Sequence, residues 1–435
     1  MIAWLLISFF VLLFLGVPIA MSLGLSAMGG ILFLGGGSTV TIAQRMFEGM
    51  NSFALLAIPL YTFAGFTMSK GGISKRLMDF CYSIVGHIYG GLAHVNVLSS
   101  MIFAGISGSA VADTAGVSGM FMPEMVRKGY SKNFTVAVTA ISSTIGIIIP
   151  PSIPMVVIAG ICGISTGKLF LGGIIPGVLC GLAQMIVSYF MAKKEGVPKE
   201  PGHFTIGPVL HGLWESWPAL LMPIIIVGTI TMGIVSPTEA GVIAVVYGLF
   251  AGGIIYRELK WEDIKFAFAE TVRTSGRIFI VIGAAKLYTV MLTTAGFDKW
   301  VAKTMLGFST NPTVILIMIL LIFFIVTMFM ESIATLTLFM PILYPIALGV
   351  GIDPIVLSVL ITVVIGVGLV TPPVGMCIYV ACDLMDVTVG EVFPTLVPFI
   401  AATFVCIALM VAFPQLILLP TYLTVSYTHL TLPTN

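Results

Sequence analysis

The sequence predicts an all-α polytopic membrane protein made of two inverted-topology repeats, each with a re-entrant hairpin and a broken helix. The first observation is composition. Of 435 residues, 58% are hydrophobic and 9% are charged, whereas about 25% of the residues of a soluble protein are charged. The second is a set of motifs that occurs twice at one spacing, and the third is an unequal distribution of Lys and Arg between the loops. This small number of charged residues could not cover the surface of a folded protein in water. The chain therefore belongs in a lipid bilayer.

The duplication divides the chain into two halves. Matched positions lie 222 residues apart, and such internal similarity is typical of membrane proteins built from repeats around a central site. The matched residues are Gly129 with Gly351, Gly146 with Gly368, Pro150-Pro151 with Pro372-Pro373, Thr166 with Thr388 and Pro176 with Pro398. We predict a first repeat over 1–192, a cytoplasmic linker over 193–217 and a second repeat over 218–419. Residues 420–435 are more polar than the rest, and we interpret them as a non-native tail.

In the first repeat, we predict a hairpin over about 91–127 and a broken helix over 134–163. The two apolar arms of the hairpin flank the polar sequence SGSAVAD, which begins at Ser107, and each arm is short for a membrane crossing. The sequence IIPPSIP removes three backbone N–H donors from the broken helix near its middle. Non-helical backbone at this depth is tolerated only where protein or water surrounds it. Residues 37–52 are expected to form a loop.

The second repeat follows the same order, with a hairpin predicted over about 313–350 and a broken helix over 355–383. Glu331 and Ser332 lie at the expected hairpin tip, and Thr371-Pro372-Pro373 interrupts the broken helix. Before the hairpin, residues 257–277 predict an amphipathic segment, and residues 278–295 predict a separate span.

The distribution of basic residues predicts the orientation. With the N-terminus outside and the hairpins not crossing, fourteen Lys and Arg residues fall on one side and four on the other. Basic residues favour the cytoplasmic side. The base of the first hairpin carries Arg127, Lys128 and Lys132, whereas the base of the second carries no Lys or Arg and faces outward. The two repeats are therefore inverted.

Composition and motifs exclude several function classes. A net charge of +1 argues against a nucleic-acid partner. The six cysteines form no CxxC or Cys/His cluster, so neither a disulfide framework nor a metal site other than sodium is predicted. Walker and HExxH motifs are absent from the sequence, so we expect neither ATP hydrolysis nor another enzyme activity, and no cofactor beyond coupling ions.

The hairpin tips and breaks are expected to converge near the bilayer midplane. Unwound backbone frees carbonyl oxygens, and Ser and Thr hydroxyls add further neutral oxygen ligands, which suit sodium. The half-helix after each Pro pair begins with a partial positive charge that can hold a carboxylate. The pattern therefore predicts a substrate-anion site beside the two breaks. Its residues are Pro151, Ser152, Pro372 and Pro373.

Three charged residues are predicted at membrane depth, where ionisable groups are costly and usually functional. Asp113, assigned to the substrate site, and Glu331 act either as direct ligands or as caps of the hairpin helices. Lys286 contacts substrate, extends to the interface or pairs with a carboxylate.

The chain resembles the large membrane subunit of tripartite ATP-independent periplasmic (TRAP) transporters, the DctM family. The resemblance covers about residues 1–419, and the motifs occur in the family's order. They are FALLAIPLY from Phe53, SGSAVAD from Ser107, IGIIIPPSIP from Ile145, SPTEA from Ser236 and GLVTPPVGM from Gly368.

The resemblance implies an ion-transporter-like, elevator-type protein in a bacterial or archaeal cytoplasmic membrane. It implies sodium-driven uptake of a small organic anion such as a dicarboxylate, sugar acid or sialic acid. The implied partners are a periplasmic substrate-binding protein and a separate small membrane subunit. One implied sodium site comprises Ser107, Gly108, Ser109, Gly146 and Pro150. The other comprises Glu331, Ser332, Thr335, Gly366, Gly368 and Thr371.

Other functions remain open at this stage. A stand-alone anion symporter would need no binding protein. A channel would conduct without a coupling ion, although breaks that face opposite sides argue against a continuous pore. An intramembrane enzyme would need a nucleophile and a base within reach of each other, and we expect no such pair.

Overall fold

The structure is a computed structural model that describes residues 1–34, 39–197 and 204–428. These residues form α-helices joined by short 3-10, π and irregular segments, with no β-strand among them. The helices of the first half are α1 (Ile2–Phe14), α2 (Ile19–Leu34), α3 (Thr39–Met50), α4 (Ala57–Lys70), α5 (Ile73–Val85), α6 (Gly91–Ser107), α7 (Ala110–Arg127), α8 (Lys132–Ser143), α9 (Ile153–Cys162) and α10 (Thr166–Glu195). Those of the second half are α11 (Ile206–Thr231), α12 (Pro237–Phe250), α13 (Trp261–Thr294), α14 (Phe297–Phe308), α15 (Pro312–Thr327), α16 (Ser332–Gly349), α17 (Pro354–Gly368), α18 (Met376–Met385), α19 (Val389–Ala412) and α20 (Gln415–Thr428).

The predicted fold class is confirmed. Within the described ranges, seven helices are long and apolar enough to cross a membrane. Each repeat contains a helical hairpin, formed by α6 and α7 or by α15 and α16. Each also contains a broken helix, formed by α8 and α9 or by α17 and α18.

The two central helices are α8 and α17, which occupy equivalent places in the two repeats. Every residue from Phe134 to Ser143 and from Ile355 to Gly368 is buried. A helix that is buried on all sides belongs in the core of a large protein. By contrast, α11 exposes large apolar side chains such as Leu210, Trp214 and Ile224, as expected for a helix that faces lipid. The breaks that follow α8 and α17 therefore lie at the centre of the molecule.

Helix boundaries differ from the sequence-based expectation in three places. The expected loop over 37–52 contains α3, whose residues alternate between apolar and polar at helical spacing. The expected linker over 193–217 is mostly helical, because α10 continues to Glu195 and α11 begins at Ile206. The amphipathic segment and the span predicted over 257–295 are one continuous helix, α13. In α3 and α13, tertiary packing stabilises a helix through a polar sequence that has no Pro to stop it.

Past the second repeat, the chain remains helical. Residues 420–428 of the proposed tail belong to α20, and residues 429–435 lie outside the described residues.

Candidate functional site

The tip of the first hairpin is a two-residue interruption between α6 and α7. Gly108 adopts a left-handed conformation with φ of 65°, which a glycine tolerates best. Ser109 is the N-cap of α7, and its hydroxyl accepts a hydrogen bond from the Ala112 N–H at 3.4 Å. The Ser107 hydroxyl accepts from the Ser109 N–H at 3.2 Å and donates to Oδ1 of Asp113. The tip is thus built around the Asp113 carboxylate.

The carboxylate of Asp113 faces the broken helix of the same repeat. A β-carbon placed on Gly146 would lie 2.0 Å from Asp113 Oδ2, so only glycine fits there. The Asp113 side chain is 3% exposed, and Oδ2 has no hydrogen-bond partner among the described residues. No Lys, Arg or His in the described ranges forms an ion pair with it. A buried carboxylate without a partner is costly, so this oxygen is free to receive a cation or a proton.

The first break is in direct contact with the hairpin tip. After α8, a 3-10 turn covers residues 144–147, and α9 begins at Ile153 beyond the Pro150-Pro151 pair. The Ile153 N–H donates to the Gly108 carbonyl at 3.2 Å, and a β-carbon on Gly108 would lie 2.6 Å from the Pro151 carbonyl oxygen. These contacts bring Ser107, Gly108, Gly146 and Pro151 together around Asp113, so residues that the sequence assigns to a sodium site and to the substrate site lie side by side.

Ser152 is less available than the sequence suggests. Its hydroxyl donates to the Ile147 carbonyl at 2.5 Å and accepts from the Met155 N–H at 3.3 Å, where it caps α9. Pro150, Pro151 and Ser152 are all buried. The start of α9 therefore has its polar groups satisfied within the protein.

The tip of the second hairpin is organised by Glu331. Its carboxylate caps α16 and accepts hydrogen bonds from the N–H groups of Ile333 at 3.0 Å and Ala334 at 3.3 Å. The Ser332 hydroxyl donates to the same carboxylate at 2.8 Å, and the Thr335 hydroxyl donates to the Glu331 carbonyl at 3.1 Å. The sequence leaves two roles open for Glu331, a direct ligand or a helix cap. In the structure its side chain forms the helix cap.

The second break also contacts its hairpin. The chain leaves α17 at Gly368 and begins α18 at Met376. The Val374 N–H donates to the Met328 carbonyl at 2.9 Å, and a β-carbon on Gly368 would lie 2.7 Å from Cβ of Thr327. The Thr371 hydroxyl donates to the Val367 carbonyl at 2.7 Å.

The two breaks differ in accessibility. Pro373 and Val374 are exposed and Pro372 is partly exposed, whereas the Pro150-Pro151 pair is buried. No side chain caps the start of α18, whose N-cap is Gly375. Of the two half-helices that follow the breaks, α9 and α18, it is therefore α18 whose positively polarised N-terminus is uncapped and accessible.

The two broken helices touch each other at equivalent positions. A β-carbon on Gly366 would lie 3.2 Å from Cβ of Thr144, and these residues are separated by the 222-residue repeat spacing. When equivalent residues of two copies meet, the two-fold axis that relates the copies passes between them. This axis places the Gly146 and Gly368 sites on either side of one centre.

Two further residues of the site have no motif that would reveal them. Cys377, in the first turn of α18, lies beside Thr114 of the first hairpin, the residue that follows Asp113. Thr327 contacts Gly368. Neither belongs to a recognisable sequence pattern, and only the packing of one repeat against the other identifies them. Conversely, Lys286 lies outside the site, because its Nζ is 3.9 Å from Glu48 Oε1 on α3.

A model of the family described as the tripartite ATP-independent periplasmic transporter, DctM component, matches residues 6–416. The chain belongs to this family. Membership confirms the resemblance seen in the motifs and the prediction of a membrane transporter permease rather than an enzyme.

Several curated relatives of DctM type are similar over most of this chain. The sialic acid TRAP transporter large permease protein SiaM of Vibrio cholerae is 35% identical, with 96% of this chain and 97% of that protein covered. The C4-dicarboxylate TRAP transporter large permease protein DctM of Pseudomonas aeruginosa is 35% identical, with 93% and 95% covered. The isethionate TRAP transporter permease protein DctMQ of Oleidesulfovibrio alaskensis is 37% identical over 90% of this chain, which spans 62% of that longer protein.

A solved structure supports the fold independently. The crystal structure of the Alcanivorax borkumensis YdaH transporter, described as having an unusual topology, aligns with a TM-score of 0.58. It covers 87% of this chain and 88% of its own, at 13% sequence identity. At this identity the likeness concerns the fold alone, and it agrees with an all-helical transporter architecture.

Proposed function

We propose that the chain is the large permease subunit of a sodium-coupled symporter that takes up a small organic anion. The observation that carries this proposal is the carboxylate of Asp113. It is buried, has one oxygen without a partner among the described residues, and faces a glycine at a helix break. A sodium ion at this position would receive the charged oxygen together with neutral hydroxyl and carbonyl oxygens. Ser107, Gly108, Ser109, Gly146 and Pro150 are the proposed ligands.

The second sodium site is proposed at the equivalent place in the other repeat. Its candidates are Glu331, Ser332, Thr335, Gly366, Gly368 and Thr371. Gly368 is the counterpart of Gly146, which supports an equivalent position for the ion. The Glu331 carboxylate already accepts three hydrogen bonds, so it would bind an ion through its remaining lone pairs.

The substrate anion is proposed to bind beside the second break. Pro372 and Pro373 lie at an accessible position before α18, where the helix dipole favours a carboxylate. Asp113 is close to this helix through Cys377. A sodium ion on Asp113 would therefore offset the repulsion between that carboxylate and the substrate, which couples the two binding events.

The partners follow from family membership and from the names of the relatives. We propose a separate small membrane subunit and a periplasmic substrate-binding protein that delivers the anion, in the cytoplasmic membrane of a bacterium or archaeon. Dicarboxylates and sialic acids are substrates named for the relatives, and sugar acids belong to the same chemical class. Uptake is proposed to proceed by an elevator-like movement of the hairpins and broken helices together.

The test is uptake by proteoliposomes that contain this chain with the small subunit and binding protein encoded beside it. An inward sodium gradient should drive uptake of the anion. Asp113→Asn removes the charge with little change of shape and should reduce uptake at least about tenfold, which equals about 1.4 kcal/mol. Asp383→Asn alters an exposed carboxylate outside the site and should leave uptake unchanged. Undiminished uptake by the wild type without sodium, under a proton gradient, would show proton coupling instead.

A further inference from the structure

A line of buried polar residues runs from the base of the first hairpin toward Asp113. We name it the polar seam and define it by Asn96 and Ser100 on α6 and by Thr135, Thr139 and Ser142 on α8. Each of these side chains is 0% exposed. On α8 the spacing of Thr135, Thr139 and Ser142 places all three on one helix face, and Gly146 follows in the 3-10 turn after α8. From Thr135 to Ser142 the face spans seven residue steps, about 10 Å at 1.5 Å per residue.

Hydrogen bonds join the two sides of the seam. The Asn96 amide donates to the Thr139 hydroxyl at 2.7 Å, and the Ser142 hydroxyl lies 3.1 Å from Asn96 Oδ1. The Ser100 hydroxyl donates to Ser142 Oγ at 3.0 Å. The α6 side continues to Ser107, two turns beyond Ser100. The Ser107 hydroxyl donates to Asp113. Hydrogen bonds thus connect Asn96, Thr139, Ser142 and Ser100, and the α6 side leads from there to the proposed first sodium site.

In the seam and directly beside it, some buried polar atoms have no hydrogen-bond partner among the described residues. The Thr135 hydroxyl has no partner among the described residues, nor has Oε1 of Gln184, whose amide lies 3.4 Å from the Ile141 carbonyl next to Ser142. Both residues are fully buried. Buried polar atoms without protein partners usually bind ordered water. In a membrane protein the cost of leaving them dry is high.

The second repeat lacks this feature. At the 222-residue spacing, Thr135, Thr139 and Ser142 correspond to Leu357, Ile361 and Val364, and α15 is apolar from Val314 to Val326. The fold does not require polar residues at these positions, because the equivalent helices pack without them. The polarity of the first repeat therefore serves another purpose.

We infer that the polar seam holds ordered water and is the route by which a sodium ion exchanges between Asp113 and the base of the first hairpin. An ion that leaves its site must replace its ligands with other oxygens at every step, and hydroxyls, an amide and water supply them without a charge to trap it. The base, beside Arg127 and Lys132, is predicted to face the cytoplasm. The Tyr130 and Phe134 rings, 5.8 Å apart between centroids, are buried at this end. The inference rests on the proposed sodium coupling.

The presence of water is tested on the wild-type protein in nanodiscs by hydroxyl-radical labelling with X-rays, read by mass spectrometry. Bound water generates radicals that oxidise adjacent methionines. Met125 Sδ lies 3.7 Å from the Asn96 amide, while Met340 is an equally buried methionine of the second repeat. Met125 should be oxidised at least about fivefold faster than Met340 if the seam contains water. Equal rates would overturn the inference.

The route is tested with a variant that carries apolar residues in the seam, Asn96→Leu/Thr139→Val/Ser142→Ala. Exchange of radioactive sodium across proteoliposomes should slow at least about tenfold, while equilibrium sodium binding should be retained, because the ligands around Asp113 are intact. The control is Ser358→Ala/Thr362→Val, which removes two buried hydroxyls that donate to carbonyls of their own helix, α17. It should exchange sodium at the wild-type rate.

The outcomes separate the two proposals. If Met125 is labelled rapidly but the seam variant exchanges sodium at the wild-type rate, the route lies elsewhere and this inference is wrong. If wild-type uptake does not depend on sodium, the proposed function fails, and the labelling of Met125 still decides whether the seam holds water.

Discussion

At the scale of single residues, the site depends on one carboxylate and one glycine. Asp113 lies in the first turn of α7, where a negative charge is favoured by the helix dipole. Its Oδ2 points toward Gly146, at which a β-carbon would lie 2.0 Å away. The absence of a side chain at position 146 therefore leaves room for the Asp113 carboxylate beside the helix break.

Gly146→Ala should abolish sodium-dependent uptake while the protein still inserts. The added methyl group must displace the Asp113 carboxylate and thereby separate it from the other proposed ligands. Uptake at a fixed sodium gradient should fall at least about tenfold, and the sodium concentration for half-maximal uptake should rise. Gly116→Ala is the control, because a β-carbon there meets no atom within 4 Å. A Gly146→Ala protein with the wild-type sodium dependence would contradict this account of the site.

At the scale of helices, two buried tyrosines connect the repeats in a reciprocal way. Tyr61 of the first repeat donates to the Pro237 carbonyl at the start of α12, at 2.9 Å. Tyr288 of the second repeat donates to the Leu5 carbonyl on α1, at 2.8 Å. Both residues occur in the sequence LYT, and both are buried. Each repeat therefore satisfies a backbone carbonyl of the other, which joins the outer helices α1, α4, α12 and α13.

Tyr61→Phe and Tyr288→Phe should each lower the free energy of unfolding by about 1 kcal/mol, because each removes one buried hydrogen bond between the repeats. Thermal unfolding of the purified protein in detergent measures the loss. Tyr189→Phe should have little effect, since Tyr189 is partly exposed and its neighbouring rings remain in contact. Similar melting temperatures for all three variants would show that these hydrogen bonds do not stabilise the outer helices.

At the scale of the whole molecule, the contact between Thr144 and Gly366 locates the two-fold axis. It lies where α8 and α17, the most buried helices, approach each other. The hairpins contact the breaks on both sides of this axis through the Gly108–Ile153 and Met328–Val374 hydrogen bonds. These contacts link both candidate sites to one central body, as the proposed elevator-like movement requires.

A disulfide between α8 and the end of α17 tests whether the two broken helices move as one rigid body. In Thr144→Cys/Gly366→Cys, the two β-carbons would lie about 3.2 Å apart, close to the ~3.5–4.5 Å of disulfides. Oxidation should join the two positions, as peptide mapping would show. Because Gly366 is a proposed sodium ligand, the variant is compared with itself, and the oxidised protein should take up the anion as fast as the reduced protein if both helices move together. Each single variant serves as a control for the substitution itself. Uptake that stops on oxidation and returns on reduction would mean that the broken helices separate during transport.

Much of the fold could be predicted because its signals are local. Pro150-Pro151 and Pro372-Pro373 interrupt helices through the chemistry of proline itself, and the repeat spacing assigns equivalent roles to distant segments. The helical loop at 39–50 and the continuous α13 were predicted wrongly, because neighbouring helices stabilise polar sequences that by themselves resemble loops or interfacial segments. Cys377 and Thr327 had no signal at all, since their importance arises only from contacts with the other repeat.

The sequence by itself determined that the protein lies in a membrane, that it is duplicated, which family it belongs to and where its helices break. These properties follow from composition, residue spacing and proline geometry, which do not depend on distant contacts. Only the tertiary structure decided which polar groups are already used and which remain free. It engaged Ser152 and Glu331 in helix caps, left Asp113 Oδ2 without a described partner, and aligned a polar seam beneath it. The physical reason is that the availability of a buried oxygen depends on the neighbours that packing brings to it, and these neighbours come from helices far apart in the chain.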